Sequence, residues 1–304
     1  MTTSTHHAHD HPPHLAHHWE TPQQQFDAGK LGMWLFLATE VLFFGGLFVG
    51  YSVWRGNDPE LFQYGSRFLD TNMGALNTAI LILSSMTMAM AVTFAQQSKQ
   101  KALVICLVLT VLGGAGFMVI KYFEYTHKFH DGLFAGPAFY NGPPDPTKAH
   151  LWDPSLPVVT QEQLIAARMA AATTPPPPAD ATDAQPLTAQ RSAIAPPQAG
   201  PSGLNLHANR ASHDSHGKHD LLHPLQDPHR PVNAHVFFTI YYLMTGLHGI
   251  HVLVGMGVIG WLAVRAMKGH FNSEYFTPVD LVGLYWHVVD LVWIFLFPLF
   301  YLIH

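Results

Sequence analysis

The sequence predicts an all-α membrane protein: a five-transmembrane-helix bundle with a long, mostly disordered extramembrane insertion between helices 3 and 4. Two observations predict it. Of 304 residues, 48% are hydrophobic and only 12% charged, about half the charged fraction of an average soluble domain. The apolar residues also come in blocks rather than with an amphipathic period. Five blocks are long enough to cross a hydrocarbon core of about 30 Å, which takes about 20 helical residues.

The blocks run over residues 31–54, 73–96, 102–125, 235–264 and 279–303. Polar punctuation separates them, as in "RGNDPE", "QQSKQK" and "VRAMKGHFNSE". The fifth contains Pro298, which a membrane helix tolerates because neighbouring helices can satisfy the freed carbonyl. The chain therefore divides into a His-rich polar tail (1–30), helices 1–3 (31–125), a Pro/Ala-rich periplasmic insertion (126–234) and helices 4–5 (235–304).

Two segments read as extramembrane. The first 25 residues include "HHAHDHPPHLAHH", a low-complexity tail that is polar more often than it is metal-holding. This start does not read as a cleavable signal peptide, being polar rather than basic and then apolar. Residues 137–231, with "TTPPPPADATDAQP", are expected to lack the apolar content for a core of their own and to be largely extended or disordered. A short helix is expected around "QEQLIAARMAAA".

Orientation follows from the basic residues of the short loops. Lys30, Lys99, Lys101, Arg265 and Lys268 fall on one side, whereas Arg55 and Arg67 on the other are accompanied by Asp58, Glu60 and Asp70. The remaining eight lysines and arginines are assigned to the long segment after helix 3, which does not count in that rule. The N-terminus is therefore placed in the cytoplasm and the C-terminus outside.

Net charge is −5, so no basic surface suggests nucleic acid. The single cysteine, Cys106, excludes an intramolecular disulfide, a Cys-x-x-Cys-His haem attachment and any site needing two thiolates.

Several polar groups lie inside the apolar blocks. Glu40 is about ten residues into helix 1, within "WLFLATEVLFFGG". Helix 4 carries His248 and His251, three apart on one face. Helix 5 carries His287 and Asp290, with Asp280 seven before His287, so that the three share one stripe. A charged acid at the centre of a lone helix costs about 2.5–3.5 kcal/mol on insertion scales. Several such groups at one depth therefore face each other or a wet cavity. His248 and His287 formally offer a pair for haem or metal, but the bundle supplies few other ligands, and hydrogen-bonded structural histidines are the preferred reading. Glu40 reads either as a proton-relay acid or as a packing acid. Small residues, among them Gly46-x-x-x-Gly50, Gly113 to Gly116 and the glycines of helix 4, suit close helix packing.

Taken in order, "MWLFLATEVLFFGG", "LNTAILILSSMTM", "KYFEYTHKFHDG", "TGLHGIHVLVG" and "YWHVVDLVWIFLF" make the chain resemble subunit III of the haem-copper oxidases, the cytochrome c oxidase and quinol oxidase family, in its five-helix bacterial form. The resemblance implies a non-catalytic core subunit of a respiratory proton-pumping oxidase in the bacterial cytoplasmic (inner) membrane. It implies no cofactor or metal on this chain, with haems and copper on partner subunits and phospholipid bound. It also implies partnership with oxidase subunits I and II, and roles in proton uptake and in protecting the enzyme during turnover. Glu40 matches the family's buried carboxyl, and Glu124, His248, His251, Asp280, His287 and Asp290 match its recurrent polar positions. Relative to the seven-helix form the first two helices are missing, and the connection between helices 3 and 4 is longer. Contact of that insertion with a cytochrome c domain is a guess from its expected location. The alternatives are a stand-alone proton or ion transporter using Glu40, His248, His287 and Asp290 as a relay, a haem- or metal-binding membrane enzyme, and an accessory subunit of a nitric oxide or quinol oxidase.

Overall fold

A computed structural model of the chain describes Trp19, residues 21–173 and residues 221–303. Most of the His-rich tail and residues 174–220 of the insertion lie outside the described residues. Among the described residues every regular element is helical: α1 (Pro22–Asn57), α2 (Pro59–Ser66), α3 (Thr71–Gln96), α4 (Gln100–His130), α5 (Gln161–Thr173), α6 (Ala234–Met267) and α7 (Thr277–Tyr301), with 3-10 turns at Gly136–Asn141 and Pro224–Gln226. Five of them, α1, α3, α4, α6 and α7, are long and apolar enough to cross a membrane.

α1 starts nine residues before the apolar block does. The Thr21 side chain accepts the Gln24 N–H at 3.2 Å and Pro22 occupies the first turn, so the polar "PQQQFDAGK" joins the helix rather than the tail. Its 36 residues give about 54 Å at 1.5 Å per residue, and Glu40 remains near its middle.

The chain divides into two compact units, residues 1–126 with 239–304, and residues 127–238. In the first, α3 buries Gly74, Asn77, Leu81, Ser84, Met88, Ala91 and Ala95, spaced alternately three and four, so one stripe faces its neighbours. That stripe is mostly small, and it lets helices approach. A Cβ on Gly113 of α4 would stand 2.8 Å from Ser84, one on Gly283 of α7 3.2 Å from Val92, and one on Gly255 of α6 2.9 Å from the Trp286 ring. The α7 stripe Gly283, Trp286, Asp290, Trp293 and Phe300 is buried and lies at the centre. By contrast, a Cβ on Gly46, Gly50, Gly246, Gly249, Gly257 or Gly260 would meet no other described group within 4 Å.

The second unit corrects the expectation that residues 137–231 lack a core. Leu133, Phe139, Val159, Leu164, Leu225, Phe237 and Phe238 are all buried. The two flanks are stitched by backbone bonds, Val159 N–H to Leu225 C=O at 2.7 Å and His223 N–H to Leu151 C=O at 3.1 Å. Gln226 completes the seam: its amide donates to the Asp153 and Leu156 carbonyls and accepts the Asp153 N–H. Averaging over the whole insertion hid these flanks, because the Pro- and Ala-rich middle dominates the composition. The expected short helix is α5.

Candidate functional site: two polar clusters within the helix bundle

The sequence grouped its polar residues by helix; the fold regroups them by contact. His248 and His251, three apart on α6, point to different neighbours. His251 faces α1, with Nε2 2.9 Å from Glu40 Oε2, and the rings of Phe43 and Phe44 pack on it. His251 Nδ1 lies 2.8 Å from the Leu247 carbonyl. A carbonyl only accepts, so Nδ1 carries a proton and the Nε2–Oε2 contact holds one more between imidazole and carboxyl. The pair is then net neutral wherever that proton resides. Both side chains are one-fifth exposed, so Glu40 is paired but not sealed. The Tyr285 hydroxyl donates to the His251 carbonyl at 3.0 Å, tying α7 to the same turn of α6.

A second cluster lies where α4 ends, α6 begins and α7 ends. Glu124 accepts from the Tyr301 hydroxyl at 2.6 Å, the Tyr241 hydroxyl at 2.9 Å and the Lys121 ammonium at 2.8 Å. Lys121 also donates to Tyr301 at 2.6 Å and sits 4.5 Å over the Trp293 ring. All four side chains are buried. A buried ion pair needs such additional donors, since desolvating two charges otherwise offsets their attraction. Lys121 is a correction: the charge reading assigned it to the segment after helix 3, whereas it is inside α4. Its partners Tyr241 and Tyr301 gave no signal, because a tyrosine in an apolar run reads as packing surface.

The remaining residues separate. Asp280 pairs with Lys30 of α1 at 3.2 Å, and His287 Nδ1 lies 2.6 Å from the Ser85 hydroxyl of α3. The expected common stripe of Asp280, His287 and Asp290 thus divides, with Asp280 paired to α1 and His287 to α3. His248 is fully buried between Phe117 and Trp293, with ring centroids 5.5 and 5.3 Å away. Neither of its nitrogens, and neither carboxyl oxygen of Asp290, has a hydrogen bond of good geometry among the described residues. Among those residues no three histidines, cysteines or acids converge as metal ligands do. Of the residues of the relay alternative, Glu40 pairs with His251 and His287 with Ser85.

Outside the membrane-spanning helices, His223 is fully buried, and burial pushes its imidazole down to about 4. Nδ1 accepts the Leu225 N–H at 3.1 Å, so Nε2 carries the proton and donates to the Asp131 carbonyl at 2.5 Å.

Comparison with known proteins follows this architecture. Residues 229–304, which hold α6, α7 and their polar groups, match the family model of cytochrome c oxidase subunit III. Cytochrome c oxidase subunit 3 of Thermostichus vulcanus is 40% identical over 73 residues, 24% of this chain and 36% of that protein. The heme-copper oxidase subunit I+III of Aeropyrum pernix is 22% identical over 297 residues, 96% of this chain and 24% of that protein. A probable quinol oxidase subunit 3 of Staphylococcus saprophyticus is 20% identical over 292 residues, covering 95% of this chain and 97% of that protein. The aligned stretches thus span 36% and 24% of the length of the first two of these relatives. The match over α6 and α7, the alignments along nearly the whole chain and the five long apolar helices together make the chain similar to subunit III of the haem-copper oxidases.

Proposed function

We propose that the chain is a non-catalytic core subunit of a respiratory haem-copper oxidase, packed against oxidase subunits I and II, with the haems and copper carried by those partners. The observation that carries this reading is the subunit III match of residues 229–304. It is supported by α1, whose most apolar stretch is only 11% buried by the chain itself. Trp34, Leu35, Leu42, Val49 and Val53 are exposed there, an apolar face suited to lipid tails or a partner helix. Bound phospholipid belongs to the same reading.

In this reading the Glu40–His251 pair supports proton uptake by holding one exchangeable proton at partly exposed groups near the middle of α1. The Glu124 cluster fixes the ends of α4, α6 and α7. With five spans, the chain between the third and fourth leaves on the side of the C-terminus, which the loop charges make the periplasmic side of a bacterial cytoplasmic membrane. The test is oxygen consumption by the oxidase purified with and without this chain. Equal initial rates, with faster loss of activity during turnover when the chain is missing, are the expected result. An immediate and complete loss with the haems intact would assign the chemistry to this chain instead.

A further inference from the structure

Three side chains in the interior of the bundle have polar atoms without a hydrogen bond of good geometry among the described residues. Asn77 of α3 is 0% exposed, His248 of α6 0% and Asp290 of α7 2%. Neither polar atom of any of the three side chains has a hydrogen-bond partner of good geometry among the described residues. The Ser85 hydroxyl lies close enough to Asp290 to interact, but it is engaged with His287 Nδ1 at 2.6 Å. Buried polar groups are as a rule hydrogen-bonded to protein or to ordered water, and leaving one unmet is unfavourable. Three within one small region of a close-packed bundle call for a common partner.

The helix register brings them together. α3 and α7 run antiparallel, fixed by the Trp293 Nε1 bond to Thr78 at 3.1 Å and the Ser85–His287 contact. Asn77 directly precedes Thr78, and Asp290 lies one turn from both Trp293 and His287. His248 stands 5.3 Å from the Trp293 ring, whose other neighbours include Lys121 at 4.5 Å and Tyr301. The three therefore cluster around one turn of α7, with the Glu124 cluster on one side and the Ser85–His287 pair on the other. The Glu40–His251 pair faces α1 and is separate.

We propose that Asn77, His248 and Asp290 hold a file of bound water in the centre of the bundle, running from the Glu124 cluster towards Ser85 and His287. Water suits these groups. It can donate to the Asn77 carbonyl oxygen, the Asp290 carboxyl and an imidazole nitrogen, and accept from the Asn77 amide and the imidazole N–H. A bound water typically makes two to four such bonds. The inference stands independently of membership in an oxidase.

The test is a high-resolution electron cryo-microscopy map of the chain in the assembly in which it is purified, together with X-ray hydroxyl-radical footprinting of wild type and Asn77→Leu. Expected are solvent densities within hydrogen-bond reach of all three side chains. Radiolytic oxidation of the buried Trp293 should be measurable in wild type and fall severalfold in the variant, while the exposed Trp34 is unchanged. Direct pairing of the three side chains with protein groups, or no density around them in a map that shows surface waters, would overturn the proposal. So would equal Trp293 oxidation in the two proteins. If Asn77→Leu fails to accumulate, the wild-type map decides.

Discussion

A carboxyl group halfway along a membrane helix is tolerable here because His251 stands 2.9 Å from it and the two share one proton. Glu40→Gln keeps the shape and offers an amide N–H to His251 Nε2, whereas Glu40→Ala leaves that nitrogen unmet. Gln should therefore assemble normally with an initial oxygen-consumption rate near wild type, and its defect should appear as altered proton uptake or faster inactivation over time. Ala should lower the yield of assembled complex more than Gln, measured as haem-containing complex per milligram of membrane. Full activity loss in an intact Gln complex would contradict this. His223 gives a second prediction. Its folded-state value of about 4 lies below the ordinary 6.5, so the unfolded form binds more protons between them. Stability from this group is complete above about pH 6.5 and is lost as pH falls towards 4, a few kcal/mol by linkage. Hydrogen exchange at Leu225, corrected for its intrinsic rate, should accelerate over that window and lose this dependence in His223→Gln; protection that is flat to pH 4 would contradict it. Both residues of the Glu40–His251 pair could be picked out from the sequence, since each is polar in an apolar run. Their contact could not, because 211 positions separate them and no periodicity links one helix to another.

At the scale of elements, five apolar blocks became five helices because length and hydropathy alone decide that much. The ends did not follow, since α1 gains its first nine residues from a Thr-Pro cap outside the apolar block. Glycine shows a different limit: sequence counts small residues but does not say which face meets a neighbour. Gly255 sits against Trp286 and Tyr285, whereas a Cβ on Gly257 would meet no other described group within 4 Å. Gly255→Ala should destabilise the bundle by about 1–3 kcal/mol, the usual penalty of overpacking. That appears as a melting midpoint several degrees lower in detergent. Gly257→Ala should be neutral or slightly stabilising, since alanine favours the helix. Equal effects of the two would contradict the packing described.

For the whole molecule, the resemblance to subunit III and the five long apolar helices were legible because motif order and long apolar blocks are properties of the chain. The ordered flanks of residues 127–238 were not, because their core is assembled from short pieces such as "LWDPSLPVV" and "LLHPLQ" joined only in three dimensions. Their side of the membrane is testable. With Cys106 replaced by serine, Asp145→Cys should react with an impermeant maleimide in intact spheroplasts; reaction in inverted vesicles alone would reverse the topology. The central claim is that this chain works as part of an oxidase, and the most direct measurement is affinity purification of the tagged chain from its own membranes in mild detergent. The account expects it to bring down a large haem-containing subunit and a copper-containing subunit in stable stoichiometry, with oxygen-consuming activity. Recovery of the chain as a stable, haem-free monomer, with the oxidase activity left in the unbound fraction, would contradict it.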